Sequence, residues 1–432
     1  MNIEIIMFLL IGFFGLMFLG VPIAMSMGLS AIGCMVFISD ANLLTVCQRM
    51  FEGMNSFALL SIPLFTLSGF TMSAGGISDR LMDWCYSLVG RIPGGLGHVN
   101  ILSSMVFAGI SGSAVADTAG VSGMMMPNMV KNGFPKEEAV AITAISSTIG
   151  IIIPPSIPMV VISGIVGIST GKMFLGGIIP GILLGLAQMI VCYVNAKRWN
   201  LPVDSGRFSL KEFLRNTWRS APALMMPILI VGSISAGIVS PTEVGVIAVA
   251  YGLIAGGLIY KELKLPALVE SLKETIKTSG RIFVVIGAAK LYTVLLTTAG
   301  FDKWVAKTML GFSTNPTVIT IIILLIFFIA TMFMETNAAL MLFLPIIYPI
   351  AMQVGVDPIA LGVMITIMVG VGLVTPPVGM CLYVAADLMD IRVGKVMPYL
   401  IPYIAVTFVV IAILIAFPQL ITVPGSFVAA GV

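Results

Sequence analysis

Read along the chain, the sequence is a succession of apolar runs separated by short polar stretches. The runs cover residues 3–20, 22–38, 56–75, 99–127, 137–167, 172–196, 220–239, 243–261, 282–300, 317–345, 358–386 and 396–417. Runs of this length and apolarity predict membrane-spanning helices, which need roughly 20 apolar residues each. Two runs are interrupted in the middle, at Ser146–Ser156 (SSTIGIIIPPS) and at Gly370–Gly379 (GVGLVTPPVG). Pro154, Pro155, Pro376 and Pro377 remove backbone donors there, and nearby glycines loosen the helix. In lipid an unpaired backbone group costs several kcal/mol, so such breaks persist only where protein or a polar cavity supplies partners. Two of them in corresponding places point to a transporter binding site.

The correspondence extends beyond the prolines. Pro154-Pro155 matches Pro376-Pro377, Gly171-Lys172 matches Gly394-Lys395, Pro135 matches Pro358, and Gly76 to Arg80 loosely matches Gly300 to Lys303, all at an offset of about 222 to 224 residues. The join between the halves, Lys197 to Arg219, carries Lys197, Arg198, Arg207, Lys211, Arg215 and Arg219, which the positive-inside rule places in the cytoplasm. A second basic stretch, read as a cytoplasmic loop, carries Lys261, Lys264, Lys273, Lys277 and Arg281. Counting crossings outward from the join turns matching segments in opposite directions, an inverted repeat, and leaves the C-terminal tail outside. The Gly20-Val21-Pro22 break admits either a turn between two spans or a kink in one.

Composition narrows the class. With 59% hydrophobic and 9% charged residues, and a mean hydropathy of +1.11, the 432-residue chain has too little polar surface to be soluble. A net charge of +3 gathered in loops serves orientation in a bilayer and argues against nucleic-acid binding. Cys34, Cys47, Cys85, Cys192 and Cys381 have no disulfide or metal spacing and read as packing residues. The N-terminus lacks a basic n-region and reads as a retained helix.

The crossing count makes residues 99–127 and 317–345 start and finish on one side, so each is a helical hairpin that enters the membrane and returns. Their middles are polar: Ser111 to Thr118 in the first, Glu335-Thr336-Asn337 in the second. A hairpin tip facing a broken helix gathers helix ends at mid-membrane, where C-terminal carbonyls suit a sodium ion and N-termini suit a carboxylate. One cation site is placed among Ser111, Ser113, Ser146, Thr148 and Gly150, the other among Thr336, Asn337, Gly370, Gly372 and Thr375; small residues packing helix on helix are the competing reading. Asp117 and Glu335 are rare intramembrane carboxylates, with a structural hydrogen bond as the competing reading. Lys290 lies within a span and either pairs, meets an anion or snorkels. Ser240-Pro241-Thr242-Glu243 has the form of a helix capping box.

An enzymatic alternative is an intramembrane serine protease, because Gly109-Ile110-Ser111-Gly112 has the GxSG form. It would need His98, the sole histidine, as base from a separate helix, yet His98 sits upstream in the same segment. No phosphate-binding loop, dinucleotide fingerprint or metal cluster occurs, and no cofactor is expected.

The segments GISGSAVADTAG, NGFPKEEAVAITAISSTIGIIIPPS, GIVSPTEVGVIA, METNAALMLFLPI and GLVTPPVGMCLYVAAD resemble the large membrane subunit (DctM/SiaM-like) of tripartite ATP-independent periplasmic (TRAP) transporters, within the ion transporter superfamily. The likeness spans essentially the whole chain. It implies an all-α integral membrane protein of two inverted repeats, each with a re-entrant hairpin and a broken helix, working as an elevator. Scaffold helices would occupy 1–75 and 220–300, transport-domain segments 76–167 and 301–390, and closing helices 168–219 and 391–432. It also implies sodium-coupled uptake of an organic acid, of the sialic acid or C4-dicarboxylate class, across the bacterial inner membrane. A periplasmic substrate-binding protein would deliver the acid, and a small four-helix membrane subunit, expected as a separate chain, would be the partner. Ser111, Ser113, Asp117, Ser156, Glu335 and Asn337 would lie nearest the substrate. A stand-alone carrier or sodium/proton antiporter of the same superfamily is the alternative.

Overall fold

The computed structural model describes residues 2–38, 42, 44–199, 201 and 209–427, and every regular element among them is a helix. The first half runs α1 (Ile3–Phe18), α2 (Ile23–Phe37), α3 (Leu44–Met54), α4 (Ser61–Ala74), α5 (Ile77–Val89), α6 (Gly95–Ser111), α7 (Ala114–Ala119), α8 (Val121–Lys131), α9 (Lys136–Ser147), α10 (Ile157–Val166) and α11 (Thr170–Arg198). The second runs α12 (Leu210–Ser235), α13 (Pro241–Leu253), α14 (Leu265–Thr298), α15 (Phe301–Phe312), α16 (Pro316–Phe333), α17 (Thr336–Gln353), α18 (Pro358–Gly372), α19 (Met380–Leu388), α20 (Val393–Ala416) and α21 (Gln419–Ser426). Arg207 of the basic join and residues 428–432 of the tail lie outside the described residues.

Each half has the same parts in the same order: two packed helices, a third span, an arm, a hairpin, a broken helix and a closing helix. Among the described residues six helices are long and apolar enough to cross a membrane singly, and the bent pair α3 and α4 counted as one span brings the number to seven. Counting α1, α2, α3 with α4, α9 with α10, and α11 gives each half an odd number of crossings. The second copy therefore stands upside down relative to the first.

At residues 20–22 the chain turns. Gly20 adopts φ +84°, Pro22 caps α2, and α1 packs along α2. Ser240 and Glu243 form the reciprocal capping box, with the Ser240 amide donating to Glu243 Oε2 at 2.7 Å and the Glu243 amide donating to Ser240 Oγ at 3.3 Å.

Three expectations need correction. The stretch carrying Lys273, Lys277 and Arg281 is no loop but the first half of α14, a 34-residue helix about 50 Å long. Its charges sit on a helix surface: Glu270 with Lys273 and Glu274 with Lys277 pair at i, i+3, while Ser271, Thr275 and Ser279, four residues apart, are buried. The counterpart in the first half bends by 69° between α3 and α4. The basic join is likewise mostly helical, since Lys197 and Arg198 end α11 while Lys211, Arg215 and Arg219 begin α12. Cys47, unlike the other four cysteines, is exposed.

The halves hold together by exchange. The second span of each packs on the third span of the other, α2 on α14 and α13 on α4. The closing helix of each packs on the first part of the other's broken helix, α11 on α18 and α20 on α9. A buried polar clamp secures the last of these contacts. Glu138 of α9 is fully buried, and its Oε1 accepts from the Tyr403 hydroxyl of α20 at 2.5 Å and from Asn195 Nδ2 of α11 at 3.1 Å. Tyr403→Phe leaves that carboxyl with one donor fewer and is expected to cost about 1–3 kcal/mol, read as a lower melting temperature of the purified protein. Tyr399→Phe, one turn earlier on α20, should leave it unchanged.

Candidate functional site

Each hairpin turns where the chain cannot remain helical. In the first, Gly112 adopts φ +64°, ending α6, and Ser113 opens α7 by accepting from the Ala116 amide at 3.4 Å. In the second, Met334 is extended and Glu335 caps α17. Its carboxylate accepts from the Ala338 amide at 3.1 Å and from Asn337 Nδ2 at 2.7 Å.

The broken helices are stitched to these tips through the backbone. After α9 the chain makes a 3₁₀ turn at Thr148–Ile151 and passes the cis Pro154-Pro155 bond. It re-enters helix at Ser156, whose hydroxyl spans the gap by donating to the Ile151 carbonyl at 2.5 Å and accepting from the Met159 amide at 3.3 Å. The Ile157 amide then donates to the Gly112 carbonyl at 3.3 Å. In the second copy, with cis Pro376-Pro377, the Val378 amide donates to the Met332 carbonyl at 2.9 Å and the Cys381 amide reaches back to the Leu373 carbonyl at 2.9 Å.

Close approaches define which oxygens share a locale. A Cβ added to Gly150 would lie 3.6 Å from the Ser113 carbonyl oxygen and 3.7 Å from the Asp117 Cβ, which sets the first break against the first tip. A Cβ on Gly370 would lie 3.3 Å from Thr148 Cβ, so the two breaks touch each other, and Gly372 is pressed against Thr331. Several candidate hydroxyls are already engaged. Ser146 bonds Asn100, Ser104 and the Thr143 carbonyl; Thr148 donates to the Ile145 carbonyl at 2.7 Å, and Thr375 to the Val371 carbonyl at 2.7 Å. In contrast, Thr336 Oγ1 and Asn337 Oδ1 are buried with no hydrogen-bond partner among the described residues. Two neutral oxygens beside a helix break are the donor type that suits a sodium ion.

A cavity of about 560 Å³ opens between the tips and helices α4 and α14. Ser111, Ser113, Glu335, Thr336 and Asn337 line it. Asp117, Ser146, Thr148, Gly150, Ser156, Gly370, Gly372 and Thr375 are not among the residues that line it. The facing wall comes from α4, through Thr66, Gly69, Phe70 and Ser73, and from α14, through Thr278, Arg281, Ile282 and Val285. Both sets have i, i+3, i+4, i+7 spacing, one face of a helix. Arg281 is the cationic side chain in this lining. Sequence reasoning missed it because counting basic residues assigned it to a loop; the helical spacing of Thr278, Arg281, Ile282 and Val285 was the available signal. Lys290 lies elsewhere, its stem against Gly53 of α3. His98 and Ser111 sit at opposite ends of α6, about 20 Å apart along its axis, and His98 Nε2 is 3.2 Å from the Pro93 carbonyl oxygen, which excludes a serine–histidine pair.

Residues 10–420 match the family model of the DctM component of tripartite ATP-independent periplasmic transporters. The chain is similar to the sialic acid TRAP transporter large permease protein of Vibrio cholerae, at 34% identity over 94% of this chain and 95% of that protein. It is also similar to the isethionate TRAP transporter permease protein DctMQ of Oleidesulfovibrio alaskensis, at 35% identity over 94% of this chain, and spans 64% of that longer protein. Among solved structures, the YdaH transporter of Alcanivorax borkumensis shares the fold, with a TM-score of 0.62 at 15% identity, covering 86% of this chain and 88% of that one.

The backbone stitch makes a specific demand on Gly112. A side chain there meets both the left-handed backbone and the Pro155 carbonyl oxygen, 2.8 Å from where Cβ would stand. Gly112→Ala is expected to cost about 1–2 kcal/mol and to lower both melting temperature and uptake. Gly311→Ala, on the exposed arm with open space around it, should change neither.

Proposed function

The chain belongs to the DctM component family of tripartite ATP-independent periplasmic transporters, and we propose that it performs sodium-coupled uptake of an organic acid anion. The sialic acid and C4-dicarboxylate classes, named for relatives, are the substrate classes expected. Family membership implies a periplasmic binding protein and a small membrane subunit as partners, and a bacterial inner membrane as the location. In our reading the binding protein hands the acid over, the small subunit extends the scaffold, and the C-terminus is periplasmic by the positive-inside count.

The observation that carries this reading is the cavity shared by both hairpin tips and Arg281. Arg281 offers a guanidinium to an anionic group, and bidentate pairing of that kind holds a carboxylate in a fixed orientation. Glu335 is occupied as a helix cap, so it shapes the tip and keeps Asn337 in place. Thr336 Oγ1 and Asn337 Oδ1, with carbonyls of the second break from Gly370 to Thr375, form one proposed sodium site. Ser111, Ser113, Ser146, Thr148 and Gly150 are the proposed counterpart in the first copy. Sodium ions in excess of the substrate charge draw on the membrane potential at about 2.3 kcal/mol per charge per 100 mV.

Because the cavity lies between two groups of helices, sliding one group past the other carries its contents across. We assign residues 76–167 and 301–390 to the moving part, 1–75 and 220–300 to the fixed part, and 168–219 and 391–432 to the closing helices. The test is uptake into proteoliposomes holding both membrane subunits and the binding protein. An inward sodium gradient should drive accumulation, and accumulation indifferent to sodium would overturn the coupling. Arg281→Gln should reduce uptake at least about tenfold, with Arg281→Lys intermediate, because a charged hydrogen bond is worth about 1.5–3 kcal/mol. Asn337→Ala should instead raise the sodium concentration needed for half-maximal uptake. Transport without any binding protein would favour a stand-alone carrier of the same superfamily.

A further inference from the structure

The beginning of α12 has two differently made faces. One is docked to the arm helix α5 and the turn after it by polar bonds: Glu212 with Arg91 of that turn at 2.6 Å, Trp84 Nε1 to Thr217 at 3.1 Å, Asn216 to the Asp83 carbonyl at 3.3 Å, and Ser220 to the Arg80 carbonyl at 2.7 Å. The other face is unpartnered and ordered. Leu210, Leu214 and Trp218, four residues apart, are exposed, Trp218 by 83%. Directly beside them run Lys211, Arg215 and Arg219, also four apart, also exposed, and in no ion pair among the described residues.

This double stripe leads into a second cavity of about 590 Å³, where α12 meets the end of α13 and the arm. Its rim carries Trp218 and Arg219, and its wall Tyr251, Tyr260, Met225 and Ile259. The two tyrosine hydroxyls face away from any ligand, donating to the Pro222 carbonyl at 2.6 Å and the Arg219 carbonyl at 3.1 Å. Arg80 stacks over the Tyr260 ring at 4.1 Å and pairs with Glu262 at 2.7 Å; that hydrogen bond holds the Glu262 carboxyl below the ordinary range, so the pair is ionised and electrically neutral. Lys211, Arg215 and Arg219 on α12 are in no ion pair among the described residues; the exposed acids Asp79 and Asp83 on the adjoining α5 leave a net positive charge at this corner.

We propose that this corner binds the headgroup of an anionic phospholipid of the cytoplasmic leaflet. The phosphate sits among Arg215, Arg219 and Lys211, Trp218 lies at the depth of the glycerol, and the acyl chains descend along Met225 and Ile228. Three observations favour lipid over an acidic protein segment. The exposed apolar stripe continues without interruption into the spanning part of α12, where Met225 and Ile228 are exposed by 45% and 61%. Cations flanking an aromatic residue at a membrane boundary form the usual cradle for an anionic headgroup. The positive-inside count puts the corner on the side where anionic lipid concentrates.

The experiment uses the complex of both membrane subunits, purified and exchanged into bilayers of phosphatidylcholine alone or with phosphatidylglycerol, and counts lipids retained by native mass spectrometry. Phosphatidylglycerol should be retained with a preference of at least about tenfold. The triple variant K211Q/R215Q/R219Q should lose that preference while melting normally in phosphatidylcholine, and R215K/R219K should keep it. An equal preference in the triple variant would overturn the proposal. So would protection by soluble glycerol phosphate equal to that by the lipid, which would make a free phosphate the ligand. Crosslinking of the small subunit to a photoreactive residue in place of Trp218 would also overturn it, because the face would then be covered by protein.

Discussion

The constraint on which this fold depends is that backbone groups exposed by a broken helix in mid-membrane must find partners inside the protein. The chain meets it twice in the same way. Ile157, two residues after the first diproline, donates its amide to the carbonyl of Gly112, and in the second copy Val378, directly after the diproline, donates to Met332. Ser156 spans its own gap with its hydroxyl, and Cys381 spans the other with its amide. Hairpin and broken helix are thus one unit in each copy, and neither is stable in hydrocarbon without the other. Contact between Gly370 and Thr148 then joins the two units into a single body.

That arrangement separates two kinds of polar group. Besides the carboxyl groups of Asp117 and Glu335, the body of tips and breaks offers neutral oxygens, since burying further full charges there would be costly. The formal positive charge comes from the facing helix α14, where Arg281 stands at the edge of the cavity and is solvated. Glu335 is compatible with an anion pathway because two donors already hold its oxygens.

Much of this was legible because it is written in local signals. Diprolines inside apolar runs, polar tips at Ser111 and Glu335, a shared offset of glycines and prolines, and the Ser240–Glu243 cap each act over a few residues. What was not legible depends on neighbours distant in sequence. Charge counting reads Lys273, Lys277 and Arg281 as a loop, whereas i, i+3 pairing on one side and a buried Ser271–Thr275–Ser279 stripe on the other keep them helical. The bend between α3 and α4, absent from α14, falls at residues 55–57, and Pro63 in the first turn of α4 is equally compatible with an ordinary helix start. Which hydroxyls remain free for a ligand also depends on packing: Ser146 is taken by Asn100 across the helix interface, while Thr336 and Asn337 keep open oxygens.

The exchange of helices between the halves has a consequence for how the protein is made. When α9 and α10 leave the ribosome, the helices that will cover them, α20 and α17, have not been synthesised. The first 200 or so residues must therefore wait in the bilayer with their central break only half enclosed, until chain more than 130 residues downstream arrives, a non-local closure that favours slow maturation. Neither half completes its own packing before the other is in place.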